Sequence, residues 1–111
     1  MDMHYDGVIY QGYAMELARR LQHSHPPFQI IDVRDDDARS TGSIPGSVGL
    51  QPGELQDALP QGTTPTTEFF IVGDGPLDER VRQMTLELRE RGALRCVEIS
   101  GGMIEWRQSG L

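Results

Sequence analysis

Short runs of apolar and β-branched residues recur along the chain with helical patterns between them, most clearly at Phe28 to Val33, Glu68 to Val72 and Leu94 to Ile99. The first two show almost no alternation of apolar and polar positions. A strand with one wet face alternates with period two, whereas a strand covered on both faces does not. Strand runs that alternate with helices imply βα units around a mainly parallel sheet. At 111 residues the chain reads as a single α/β domain over 1–111. A domain of this size can bury roughly two thirds of the surface its unfolded chain exposes.

The remaining elements follow from periodicity and breakers. Val8 to Tyr10 reads as a short first strand, and Gln11 to Gln22 as a helix with Met15, Leu17, Ala18 and Leu21 on its apolar side. Pro26-Pro27 blocks its continuation. Asp35 to Ser40 fits a short acidic helical turn, Ile44-Pro45-Gly46 a turn, and Ser47 to Leu50 a brief strand. Pro52 to Leu59 reads as a short helix with proline near its first position, and Gln61 to Thr67 as a polar loop. The longest helix is expected from Glu79 to Arg91, with Val81, Met84, Leu86 and Leu88 apolar and Gly92 as its stop. Gly101-Gly102 turns the chain into a last short helix whose Trp106 would pack on the sheet.

Charge narrows the function classes. The net charge is −7, which argues against binding nucleic acid or docking on anionic membranes, since both need basic surface. It favours a basic protein partner and disfavours anionic substrates, and it also keeps a small domain soluble. No apolar run approaches the ~20 residues of a membrane span. The segment Met1 to Asp6 carries acids where an export signal carries bases. The single cysteine, Cys96, cannot form an intrachain disulfide, so a reducing, cytoplasmic setting is expected.

In an open parallel sheet, ligands bind beyond the carboxyl ends of the strands. The candidate here is Gly73-Asp74-Gly75-Pro76-Leu77-Asp78-Glu79-Arg80. Its glycines permit a tight turn, and the helix that follows points free N–H groups and its positive dipole end at the loop. That arrangement can hold an anion or lower the pKa of a thiol. Yet the loop has no Cys, Ser, Thr, Lys or His, and three acids face one base. Asp78 fits a helix N-cap and Glu79 a first-turn acid. Elsewhere, His23-Ser24-His25 reads as a solvated loop rather than a chelate, and His4 lies near the chain start. Asp35-Asp36-Asp37 lacks the glycine and distal glutamate of a calcium loop. No metal site is expected. Cys96 lies in an apolar strand and reads as a core residue.

Two motifs resemble a known family. Ile30-Ile31-Asp32-Val33-Arg34 followed by Thr41-Gly42-Ser43-Ile44-Pro45-Gly46-Ser47-Val48, together with Gly101-Gly102-Met103-Ile104-Glu105-Trp106, is similar to the paired signatures of rhodanese-like domains. Ser43 stands where the family usually has His, and Gly49 where Asn is usual. The resemblance implies a five-stranded parallel sheet flanked by helices on both faces, with no cofactor. It implies that the loop after the fourth strand begins with a cysteine that carries a persulfide, and that an Arg, matched by Arg80, closes the loop. A loop of sulfurtransferase length puts Gly75 at the cysteine position, and the longer loop of related cell-cycle phosphatases puts Asp74 there. Neither supplies a thiol, and aspartate at this position occurs in inactive members. If Asp74 pointed inward, its carboxylate would fill the anion nest. Asp32 and Arg34 would border the pocket or brace the end of their strand. The expected function is a catalytically inactive domain that binds or regulates a protein. The alternative is a thiosulfate or persulfide sulfurtransferase.

Overall fold

A computed structural model describes residues 9–23 and 25–111. Val8, His4, Ser24 and the segment Met1 to Asp6 lie outside the described residues. The elements run β1 (Tyr10–Gly12), α1 (Ala14–Arg20), β2 (Phe28–Asp32), α2 (Asp36–Ser40), β3 (Val48–Gly49), β4 (Glu68–Val72), α3 (Glu79–Glu90), β5 (Arg95–Ile99) and α4 (Gly102–Gln108). All strand pairs are parallel and the sheet order is β1-β5-β4-β2-β3. Among the described residues no helix is long and apolar enough to cross a membrane.

The continuous apolar runs are shared between two cores. Ile31, Phe69, Ile71 and Cys96 face α3, where Met84 and Leu88 meet them. Ile30, Phe70, Val72 and Ile99 face the other way, toward Leu17 of α1 and Met103 and Trp106 of α4. Successive residues of a strand point to opposite faces, so a strand covered on both sides must be apolar at every position. All five residues of β4 are buried.

Three expectations need correction. The first helix begins at Ala14 rather than Gln11, because Gln11 and Gly12 pair with Glu98 and Ile99 of β5. A side chain at Gly12 would run into Val97 Cγ1 at 2.8 Å. Met15 and Leu86, expected in the core, are half-exposed, while Ala14 and Thr85 are buried instead. Pro52 to Leu59 is not helical. Gly53 has φ +92°, which a helix does not allow, and α3 meets this segment's polar groups. The Glu87 carboxylate accepts from Gly53 N at 3.0 Å, and Arg91 Nε donates to Gln56 O at 2.5 Å. Leu50, Leu55 and Leu59 still reach the α3-side core from irregular chain.

Ionic networks tie the layers together, two of them on opposite faces of the sheet. Asp32 and Arg34 are both buried; Arg34 Nε and Nη2 donate to the Asp32 carboxylate at 3.0 and 2.8 Å. Arg34 Nη2 also donates to Gly42 O at 2.8 Å, so the pair holds the segment after α2. Arg39 reaches the same carboxylate, Nε to Oδ2 at 3.4 Å, by lying across Gly49, where a Cβ would come within 2.9 Å of Arg39 Cζ. On the far side of the sheet, Glu98 of β5 accepts from Gln11 Nε2 at 2.7 Å, Arg82 Nε at 2.8 Å and Thr85 Oγ1 at 2.9 Å. Burial raises the Glu98 pKa, but these donors outweigh it and hold the carboxyl below its ordinary value.

Removing the Arg34 guanidinium leaves a buried carboxylate without its main partner. Arg34→Met is expected to cost about 3–5 kcal/mol, read as a lower denaturant midpoint at unchanged slope. Glu98→Gln is expected to cost about 2 kcal/mol at neutral pH. Because the folded pKa of Glu98 is depressed, its contribution is complete above the ordinary value of 4.5 and is lost as pH falls through the folded pKa. The gap between wild type and Glu98→Gln should therefore close in acid, measured as paired melting temperatures across that range.

Candidate functional site

The loop from β4 to α3 is held by its own acids. Asp78 caps α3, its Oδ1 accepting from Arg80 N at 3.1 Å. Its Oδ2 accepts from Asp74 N at 2.8 Å, which draws the start of the loop toward the helix. Arg80 folds back over both acids. Its Nε donates to Asp78 Oδ1 at 2.8 Å, and its Nη2 to Asp78 Oδ2 at 2.7 Å and Asp74 Oδ2 at 2.9 Å. The Arg80 guanidinium holds the Asp78 carboxyl below the usual carboxylate value, against the opposing effect of burial, and Arg80 is raised in turn. Both stay charged near neutral pH.

The start of α4 supplies the second support. Met103 N donates to Gly73 O at 2.9 Å and Ile104 N to Asp74 O at 3.0 Å. This contact needs glycine at 102, which has φ +57° and whose Cβ would lie 2.7 Å from both Gly73 O and Gly75 N. Gly75 in turn lets Ile104 approach, since a Cβ there would meet Ile104 Cδ1 at 2.8 Å. The Gly-Gly motif near the end of the chain thus seats the loop that begins almost thirty residues earlier.

Gly73 is the first residue after β4. A Cβ at Gly73 would contact the Asp78 carboxylate, with Cγ at 2.8 Å and Val81 Cγ2 at 2.9 Å. The Asp78 carboxylate therefore fills the space above the first position of the loop. This corrects the expectation that Asp74 turns inward. The Asp74 side chain is 62% exposed and that of Asp78 only 7%. Asp78 wins because its N-cap position already aims its carboxylate at free N–H groups.

The structure gathers Gly73 through Arg80 at the carboxyl end of β4, as the sequence implied, with Glu79 exposed in the first turn of α3. Asp32 and Arg34 do not join them. They line neither hollow beside the loop, and their hydrogen bonds brace the end of β2. Asp35 caps α2, accepting from Ala38 N at 2.8 Å, with Asp36 and Asp37 in its first turn. Cys96 is buried in β5, and burial pushes its thiol up to about 12. Gly102, Met103 and Ile104 were missed as site residues; the only signal for them was the Gly101-Gly102 motif, whose spatial partner cannot be read from the chain.

The rhodanese-like domain family profile matches residues 14–109. A search of curated protein sequences finds no match. Among solved structures, the rhodanese-like domain of the Alr3790 protein from Anabaena sp. is 28% identical, covering 93% of this chain and 76% of that one at a TM-score of 0.74. A rhodanese-like domain protein from Staphylococcus aureus is also 28% identical, covering 88% of this chain and 91% of that one at a TM-score of 0.68. A single-domain sulfurtransferase from Saccharomyces cerevisiae matches at a TM-score of 0.75, covering 93% and 92% of the two chains; at 14% identity this likeness speaks for the fold alone. The family match runs from α1 through α4, across the acidic loop and the glycines that seat it, and the chain belongs to the rhodanese-like domain family.

Proposed function

We propose that this chain is a rhodanese-like domain that has lost the sulfur-transfer reaction and serves as a protein-binding or regulatory module of the cytoplasm. The observation that carries this reading is the Asp78 carboxylate standing over Gly73. In the reaction the family resemblance implies, a loop thiolate attacks the outer sulfur of thiosulfate, forming a persulfide and releasing sulfite. Here we take the cysteine position to be Gly73, the first residue after β4, in place of the Asp74 or Gly75 that loop length implied; it has no side chain, and an internal anion occupies the space beside it. The loop's three carboxylates repel a second anion, and Nε and Nη2 of its one arginine are already engaged. Asp74 as a phosphatase nucleophile meets the same charge.

The alternative, a sulfurtransferase working through Cys96, requires a thiolate. A thiol whose pKa lies at about 12 is almost wholly protonated at neutral pH. It also sits within β5, buried against α3 rather than in the loop.

The direct test is turnover of thiosulfate with cyanide. The expected result is no thiocyanate above the uncatalysed rate and no cyanide-labile sulfur on the protein. Turnover that disappears in Cys96→Ser would overturn the proposal. The folded chain should also leave its thiol unreacted with an aromatic disulfide reagent, and give one reacting thiol per chain after denaturation.

A second test asks whether Asp78 fills a sulfur cradle. Gly73→Cys with Asp78→Ala removes the carboxylate and supplies a thiol; Val81 Cγ2, 2.9 Å from a Cβ at this position, must still give way, and the missing cap costs about 1 kcal/mol. Cyanide-labile sulfur is expected on this double variant after incubation with thiosulfate, and far less on Gly73→Cys alone. A folded double variant that takes up no sulfur would mean that Asp78 is only a helix cap.

A further inference from the structure

Leu77 is 93% exposed, more than any other large apolar side chain among the described residues. A lone exposed leucine is ordinary on a protein surface. Three features set this one apart. The backbone around it is tied down: Gly73 O and Asp74 O accept from α4, Asp74 N donates to Asp78, and Asp78 N donates to Gly75 O at 3.3 Å. Pro76, immediately before Leu77, has its own φ fixed by its ring. Leu77 also stands between two hollows, one of about 700 Å³ shared with Pro76 and the half-exposed Ile104, the other of about 580 Å³ reaching Gln11 and Ser100. Finally, its surroundings are acidic, with Asp74, Asp78 and Glu79 lining the larger hollow against Arg80 alone.

We infer that the ridge of Pro76, Leu77 and Ile104, with the hollows beside it, is a docking surface for a basic amphipathic partner segment, one that lays an apolar face against Leu77 and offers arginine or lysine side chains to Asp74 and Glu79. The inference rests on the protein-binding reading above and names the surface and the chemistry of its partner. An apolar side chain on a backbone that is already tied loses only its own rotamer freedom when it is buried, which lowers the cost of docking. The flanking carboxylates add electrostatic selection. A second copy of this chain is a poor occupant, since each copy carries a net charge of −7 and would bring the same acids to the ridge.

The experiment is an NMR titration of the isotope-labelled chain with two synthetic amphipathic helical peptides. Both carry the same leucine face; one has lysine and arginine on its polar face, the other glutamate. The basic peptide is expected to move the amide resonances of residues 74–80 and 104. Binding should weaken in high salt and fall roughly tenfold or more in Leu77→Ser, whose melting temperature stays that of wild type because Leu77 makes little contact with the core. The glutamate peptide should leave these resonances in place. Equal binding of both peptides, no movement at the loop, or binding undiminished in Leu77→Ser overturns the inference. So does concentration-dependent movement of the same resonances without peptide, which would make a second copy the occupant. Movement confined to another face would sink this surface and leave the protein-binding reading standing. Thiosulfate turnover would sink that reading itself.

Discussion

Strand β4 is hydrogen-bonded to β2 on one side and β5 on the other, and all five of its residues are buried. A strand in that position has no face to give to water, so helices must cover both sides. Phe69 and Ile71 demand α3, while Phe70 and Val72 demand α1 and α4. The order of the sheet places the end of β4 near its centre, and the chain leaves that end through Gly73 into the acidic loop. The site thus inherits its location from the burial of one strand.

What the loop does with that location is decided by charge. The start of α3 offers unpaired N–H groups at a positive dipole end, the setting in which a bound anion or a thiolate is stabilised. In this chain the anion is covalently attached. Asp78 satisfies Arg80 N and Asp74 N from within, and Arg80 balances its charge. The pairing ties the start of the loop to the helix cap, and Leu77 stands exposed between them. The anion held inside the loop and the apolar ridge beside it depend on the same three side chains.

Legibility varied with how local the deciding force was. The strands over Phe28 to Asp32 and Glu68 to Val72 could be read because their apolar runs report burial directly. The N-cap role of Asp78 could be read because capping involves residues within one turn. The Pro52 to Leu59 segment could not, since its local preference for helix is overridden by Gly53 and by hydrogen bonds from Glu87 and Arg91 on α3. Met15 and Leu86 misled for a related reason: helical spacing marks a stripe, and packing decides how wide the buried part of that stripe is.

By itself the amino-acid sequence determined the α/β architecture, the family, the absence of a thiol from residues 73–80 and the acidic character of that loop, because each follows from residue type and short-range order. Only the tertiary structure decided which acid enters the cradle and what the Gly101-Gly102 motif is for. The sequence marked Asp78 as a cap, but not that the capping carboxylate would also stand beside Gly73. Gly102 bringing α4 against the Gly73 and Gly75 backbone, and Arg80 folding back over both acids, are what turn one outward and the other inward. The cap of Asp78 and the bonds of Arg80 act within a few residues, whereas the contact of α4 with residues 73–75 joins parts far apart in the chain, and residue order alone does not encode that distance.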